Sequence, residues 1–353
     1  MTGISATLRV PGAYTVFTPT DAAFAQMKAV KLEDLSGITL YTRGRYRKSH
    51  LAEVSIHRGD IRHMTQVVSN GAENDVPTNH PALLEEVQHT LRFVASLKNK
   101  TFVSKLGGST LAYQRAVLQD LVWLHELGVK VVLVQGGGPS ITAWLQKLSI
   151  PTRFEKGLRV TDAQTLEVVR MVLCGQINQE LVALASEMGG NVVGLCGTDG
   201  HMVQAHITNE HVGLVGEIES IDASLVLQMI DLGYLPIIAP LGLGPDGTYL
   251  NINADLVASQ LAGALKADRL IFLSDVNGIH LADGSRLAEL NESQAQALID
   301  EGVIYGGMIP KIIACLQALA SVPRVHIVDG STPHVLLYEL EERPHVGTTI
   351  TRA

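Results

Sequence analysis

The sequence predicts an α/β fold: an open, mostly parallel sheet with helices on both faces. Three observations carry this. Short apolar runs recur as "YLPIIAPL", "DRLIFLSDV" and "RVHIVDG", as in strands buried on both sides. Helix-length amphipathic segments alternate with such runs. Hydrophobic residues make up 46% of the 353 positions and charged residues 18%, which suits a sizeable core and excludes wholesale disorder.

The elements follow in chain order. Residues 1–80 stand apart as an N-terminal extension with no assigned role and partial disorder expected. Within them "YTRGRYRKSHLAEVSIHRGDIRH" is dense in Arg and His, and "SNGAENDVPTNHP" reads as a linker. "PALLEEVQHTLRFVASL" is an amphipathic helix opening at Pro81, so 81–99 is an N-terminal helix. The regular part runs from 100 to 353. "TFVSK" is a strand, "TLAYQRAVLQDLVWLHELG" a helix closing at Gly128, and "KVVLVQ" a strand entering "GGGPSITAWLQKLSI". "DAQTLEVVRMVLCG" and "NQELVALASEMGG" read as helices, and "NVVGLC" as a strand. Helices are expected at 253–266, 308–321 and 333–341. "GLGPDG" matches G-x-G-x-x-G, but Pro245 and the following "TYLNIN" suit a hairpin turn at Asp246-Gly247, not a loop opening a helix.

Bulk features exclude several function classes. The net charge of -8 argues against nucleic acid as the main partner. The three cysteines, Cys174, Cys196 and Cys315, are far apart and set in apolar runs. They read as buried small hydrophobes, with no metal spacing and no disulfide framework. No apolar run reaches membrane length and no signal peptide is visible, so no membrane partner and a cytoplasmic location are expected.

Ligands of open α/β sheets lie beyond the carboxyl ends of the strands. Two glycine turns follow strands there, "SKLGGS" and "VQGGGPS", and a third, "VIYGGMIPK", precedes a late helix. Glycine lets backbone N–H groups converge on an anion, and a helix start adds partial positive charge. Lys105 ends a strand, where an exposed end faces the crevice. Lys311 sits in a first helical turn, where a cation opposes the dipole unless an anion lies nearby. Arg159 precedes a cap at Thr161 or Asp162 and suits bidentate capture of a carboxylate. Asn251, Asn253 and Asp255 alternate before a helix and would share one strand face. "SDVNGI" leaves a strand and could line a nucleotide site.

These pieces resemble the acetylglutamate kinases of the amino acid kinase superfamily. "KLGG", "VLVQGGG", "FEKGLRVTD", "VVGLCGTDG", "YLPIIAPLG", "NINADLVA", "LIFLSDVNGI" and "GGMIPKIIA" occur in family order between about 100 and 351. "GLRVTD" separates them from aspartate, glutamate-5-, carbamate and UMP kinases. The resemblance implies a three-layer αβα domain with an acetylglutamate-binding lobe at about 100–245 and an ATP-binding lobe at about 246–353. It implies phosphorylation of the γ-carboxylate of N-acetyl-L-glutamate by ATP, with Mg2+ carried by the nucleotide, as the second step of arginine biosynthesis. It further implies that Lys105 and Lys311 stabilise the transition state and that Asp255 orients them. Gly137, Gly138, Arg159 and Asn251 would bind the acceptor; Gly107, Gly108, Asp275 and Gly278 the nucleotide. No metal site of the protein's own is expected. Gln135 stands where the family usually has His.

Phe93, His326 and Glu339 match the pattern of an L-arginine effector site, although His345 replaces a usual glycine. A homo-oligomer is expected, dimeric or hexameric. "GAYTVFTPTDAAFAQM" resembles the opening of a fasciclin domain. The chemistry is consistent with a kinase of carboxylates. Such an acceptor is ionised at pH 7 and needs no general base. The difficulty is bringing it against a polyanion, which two cations and backbone amides would ease. The alternatives are a kinase for carrier-bound aminoadipate and a non-catalytic arginine sensor. A full set of charged residues at the matching positions counts against the sensor.

Overall fold

A computed structural model describes residues 6–9, 39–42, 52–55 and 81–352, apart from 156, 282, 307 and 341–345. The fasciclin-like stretch and His345 lie outside the described residues. The chain divides into two units, Met1–Lys98 and Asn99–Ala353. In the first, β1 (Ala6–Arg9), β2 (Thr39–Thr42) and β3 (Ala52–Ser55) pair antiparallel in that order, and α1 spans Pro81–Leu97.

The second unit begins with β4 (Thr101–Leu106), a 3₁₀ turn at Gly108–Tyr113, α2 (Gln114–Glu126), β5 (Lys130–Gln135) and α3 (Gly138–Lys147). A hairpin of β6 (Phe154–Glu155) and β7 (Leu158–Arg159) leads into α4 (Ala163–Arg170). Asp162 caps α4, its side chain accepting from the Thr165 amide at 2.7 Å. A π-helical segment, Met171–Ile177, joins α4 to α5 (Asn178–Glu187). Next come β8 (Val192–Cys196), β9 (Val203–Ile207), β10 (Gly216–Ile221), α6 (Ser224–Asp231), β11 (Leu235–Ala239), β12 (Leu241–Leu243) and β13 (Tyr249–Asn251). Then follow α7 (Ala254–Ala264), β14 (Arg269–Ser274), β15 (Ile279–His280), β16 (Arg286–Leu287), β17 (Glu289–Asn291) and α8 (Glu292–Asp300). The chain closes with α9 (Met308–Leu319), β18 (Arg324–Asp329), α10 (Val335–Leu340) and β19 (Thr348–Thr351).

The main sheet has eight strands in the order β17-β19-β18-β14-β4-β5-β11-β8. The six from β18 to β8 run parallel, and β19 runs antiparallel to β18. Alternate strand residues supply two cores. Val103, Val132, Val134, Leu270 and Phe272 join a cluster with α7 and α9 residues such as Leu261 and Ile312. On the opposite face α2, α5 and α10 close the sandwich, with Leu118, Leu121 and Leu181 fully buried. Both faces are therefore apolar, which explains the uninterrupted hydrophobic strand runs.

The strand order places the ligand crevice. From β4 the chain moves one way, to β5, β8 and β11. It then returns to add β14 and β18 on the other side. The reversal falls between β4 and β14, the position where open α/β sheets bind ligands. Residues 101–239 fill one half of the parallel array and residues 269–329 the other.

Three sequence expectations change. The helix expected from Thr110 opens as a 3₁₀ turn and becomes α-helical only at Gln114. The two helices expected on either side of Gly175 form one run, because the π segment absorbs an extra residue without breaking the ladder. That run, Ala163–Glu187, is long and apolar enough to cross a membrane by length and composition, contrary to the expectation that no such stretch exists. Its α5 part packs on β8 and β11, as a core helix does. The Asp246-Gly247 turn does join the antiparallel pair β12 and β13, with Gly247 at φ +79°.

Candidate active site

A cleft of about 980 Å³ opens above the carboxyl ends of β4, β5 and β14. Its floor is a charged triad. Lys105, near the end of β4, places Nζ 2.7 Å from Asp255 Oδ1. Lys311, in the first turn of α9, places Nζ 3.3 Å from Oδ2 of the same carboxylate. The anion expected near a lysine at a helix start is therefore Asp255, from another helix start. Lys105 is only 8% exposed, so the expected exposed strand end is a buried cation reached through the cleft.

The electrostatics follow from this burial. Burial lowers the Lys105 pKa and Lys311 repulsion adds to that, against the attraction of Asp255. Burial pushes the Asp255 carboxyl up, but the two ammonium groups outweigh it and the net shift is down. Phe272 on β14 supports Lys311, whose Nζ lies 5.5 Å from the ring centroid.

Asn251, Asn253 and Asp255 do not share a strand face. Only Asn251 lies in β13; Asn253 caps α7 by accepting from the Asp255 amide at 2.7 Å, and Asp255 is already helical. The reversal from strand to helix still brings all three to the cleft wall. Asn251 Nδ2 donates to Thr161 Oγ1 at 3.2 Å, tying β13 to the start of α4.

The two glycine turns lock together. An added Cβ on Gly108 would meet the Gly138 nitrogen at 2.9 Å, and one on Gly136 would meet the Gly108 nitrogen at 3.1 Å. The Gly107 amide donates to Leu273 O at 3.0 Å, so it staples β4 to β14 and is not turned to a ligand. Gly138 lines the cleft at the start of α3, where the first amides have no intrahelical acceptor and Pro139 has no N–H to offer. Gly137 is glycine for close packing: a Cβ would meet Leu173 Cδ2 at 2.6 Å and Ile177 Cδ1 at 2.7 Å.

Arg159 projects from β7 to this helix start. Its Nη2 donates to Gly138 O at 2.9 Å and to Thr142 Oγ1 at 2.8 Å, while Phe154 lies under the guanidinium at 4.7 Å. Nη1 is buried and has no partner among the described residues. The fork expected to grip a carboxylate with both ends thus has one end already engaged and the other buried and unpaired.

On the far side, Ser274 to Ile279 line the cleft between β14 and β15, opposite Tyr305 and Met308. Asp275 accepts from Ser274 Oγ at 3.2 Å. Gly278 has φ +117° and leaves room for Thr348 Oγ1, 2.3 Å from where a Cβ would stand. Among the described residues no group of three or more His, Cys, Asp or Glu side chains is placed to hold a metal.

Of the remaining predicted residues, His326 on β18 and Glu339 on α10 meet: His326 Nδ1 lies 2.9 Å from Glu339 Oε1, with Thr349 Oγ1 3.1 Å from both. The pair is outside the cleft and only 2% and 3% exposed. Burial lowers the His326 pKa. Phe93 lies on α1, in the first unit. Gln135, in place of the usual His, is buried and donates to Leu173 O at 2.6 Å while accepting from Asn178 Nδ2 at 3.2 Å. That network behind the glycine turn was legible only as a departure from the family pattern.

Comparison with known proteins agrees with the fold. The sequence model of the amino acid kinase family matches residues 100–329, and that of the fasciclin domain matches residues 1–113. The overlap, 100–113, falls in β4 and the following turn of the second unit. The acetylglutamate kinase of Moorella thermoacetica is 43% identical over 279 residues, covering 74% of this chain and 94% of that protein. That of Thermosynechococcus vestitus is 40% identical over 272 residues, covering 75% and 92%. Among solved structures, an N-acetylglutamate synthase from Neisseria gonorrhoeae complexed with coenzyme A and N-acetyl-glutamate superposes with a TM-score of 0.69. It is 23% identical and covers 76% of this chain and 63% of that one. Carbamate kinase from Giardia lamblia bound to AMP-PNP gives 0.56 at 21% identity, covering 72% and 99%. At such identities these two structures speak for the fold.

Proposed function

The chain belongs to the amino acid kinase family, and from that premise we propose how its cleft transfers the terminal phosphoryl group of ATP to the γ-carboxylate of N-acetyl-L-glutamate. This is the acetylglutamate kinase activity of arginine biosynthesis, the activity of the relatives at 40–43% identity. The observation that carries the residue assignments is the convergence of Lys105 and Lys311 on one carboxylate at the switch point of the sheet.

The acceptor takes the β5 side. Its α-carboxylate pairs with the unpaired Nη1 of Arg159, the N-terminus of α3 at Gly137 and Gly138 holds the γ-carboxylate, and Asn251 closes the wall. The nucleotide takes the β14 side, along Gly108, Asp275 and Gly278. Gly107 shapes the turn, its amide being already donated to Leu273 O. The two ammonium groups lie between the sites. Two anions must meet there, and Lys105 and Lys311 neutralise charge on the oxygens of the transferring group. Asp255 holds both lysines aimed before substrates arrive. With its oxygens already paired to the lysines, it is an orienter and not a base.

Mg2+ fits as a companion of the nucleotide, bound mainly through phosphate oxygens, because the described residues offer no cage of their own. There it would screen the β- and γ-phosphate charge. An L-arginine response forms a second reading, resting on the match of His326 and Glu339, which meet at 2.9 Å, to the effector-site pattern; assembly into a homo-oligomer goes with that reading. An arginine titration of the activity tests it. A cytoplasmic location is the reading consistent with these biosynthetic relatives.

The placement of the acceptor is tested by initial rates for Arg159→Gln. KM for N-acetyl-L-glutamate should rise about tenfold or more with KM for ATP unchanged, since a charge-assisted hydrogen bond is worth about 1.5–3 kcal/mol. An unchanged acceptor KM refutes the placement.

A further inference from the structure

The cysteines do not all behave as the isolated buried hydrophobes the sequence suggested. Cys174, in the π-helical segment, and Cys196, the last residue of β8, bring their Sγ atoms within 3.5 Å. Both are partly exposed, whereas Cys315 is buried. The Cys174 thiol donates to the Cys196 sulfur, and Thr198 Oγ1 donates to the same atom at 3.1 Å. The bond from Cys174, aided by Thr198, outweighs the upward push of burial and holds the Cys196 thiol down to about 7. The same bond, and burial, push the Cys174 thiol up. One sulfur is thus poised as an attacking thiolate, with a second thiol beside it to resolve the product.

We propose that Cys174 and Cys196 form an oxidative modification site, closed to a disulfide by a hydroperoxide, and that the closed form binds the acetylated acceptor more weakly. The Cys196 thiolate attacks a peroxide oxygen and the O–O bond breaks. Sulfur is oxidised to a sulfenic acid while hydrogen peroxide is reduced to water, taking up the thiol's proton. The Cys174 thiol then attacks that sulfur. The S–S bond forms, and the hydroxyl leaves with the Cys174 proton as a second water. A dithiol reductant reverses the change by exchange.

The link to the cleft is geometric. A disulfide brings sulfur atoms to about 2.05 Å, so one partner must move by roughly 1.5 Å. β8 is held by a parallel ladder along its whole length against β11. The π segment has no such ladder, and Cys174 follows Leu173 directly. The Leu173 carbonyl accepts from Gln135, which ends β5, and its side chain covers Gly137. Pulling Cys174 toward β8 therefore shifts the wall of the glycine turn at the start of α3. This second part rests on the acceptor lying at that turn.

The test uses the full-length protein, purified reduced and treated with hydrogen peroxide. Peptide mapping without reductant should recover residues 174 and 196 in one linked species. KM for N-acetyl-L-glutamate should rise about tenfold, as a shift of about 1 Å in a binding group can produce. KM for ATP should stay unchanged and dithiothreitol should restore the starting value. Cys174→Ser and Cys196→Ser should each abolish the response, and Cys315→Ser should keep it. Mapping on the unaltered chain needs no variant to fold. Absence of the linked peptide, a linked form with unchanged KM, or a response that survives Cys196→Ser overturns the proposal. The linkage is read by mass and the acceptor placement by Arg159→Gln, so the two failures are distinguishable.

Discussion

Asp255 shows how one side chain can prepare a site and stabilise the fold at once. Its carboxylate, largely buried on the cleft floor, faces two ammonium groups at 2.7 and 3.3 Å. Breaking a buried ion pair by removing one partner costs about 3–5 kcal/mol, because the remaining charge is uncompensated. In Asp255→Asn two cations are left facing each other. The variant should melt well below the unaltered chain, and ATP should raise its melting temperature more than it raises that of the parent, since phosphate oxygens then replace the lost anion. An equal ATP increment in both proteins would contradict this. The pH sign follows from the lowered pKa. A depressed carboxyl contributes stability above its unfolded value of 3.8, and that contribution disappears as pH falls through the folded pKa.

At the scale of elements, the six parallel strands of the main sheet were legible because their residues are largely apolar on both faces, whereas β17 and β19, with polar residues in "ELN" and "TTIT", were not. The glycine turns and a cap at Thr161 or Asp162 were legible from local chemistry, and the structure assigns the cap to Asp162. What the sequence concealed depends on contacts between distant segments. The Asn253 cap and Asp255 look alike in "NINAD", and only the position of α9 distinguishes them. β9 and β10 carry polar residues in "VQAHI" and "GEIESI", so they lack the buried-strand signature. The π segment hides inside an ordinary helical pattern, and the thiol pair it creates spans 22 residues of sequence.

A further contact of this kind joins α2 to the segment before α10: His334 Nδ1 lies 2.7 Å from Asp120 Oδ1, and Asp120 is 1% exposed. Burial pushes the Asp120 carboxyl up to about 6, against the pull of His334. Between its unfolded value of 3.8 and about 6 the folded state holds the extra proton, so stability falls as pH rises through that window. Melting curves of the unaltered chain and of Asp120→Asn should diverge across this range by up to about 3 kcal/mol, with the slope reduced in the variant. Parallel curves would show that Asp120 does not titrate there.

At the scale of the whole molecule, one feature organises the kinase unit: the reversal of strand order between β4 and β14. It divides residues 101–239 from 269–329 and leaves a crevice between them. Lys105 comes from one half, while Asp255 and Lys311 come from later helices, so the reacting groups meet only when both halves are folded. That dependence explains why the lysines, 206 positions apart in the numbering of the chain, could be singled out separately but joined in one pocket only by resemblance or by structure. The most direct test of the account is the turnover of Lys105→Ala with ATP and N-acetyl-L-glutamate, measured beside its circular dichroism and its binding of both substrates. The account predicts a folded protein that still binds acceptor and nucleotide while kcat falls by about 100- to 1,000-fold, as when one transition-state donor is lost. A kcat equal to that of the unaltered chain would contradict it.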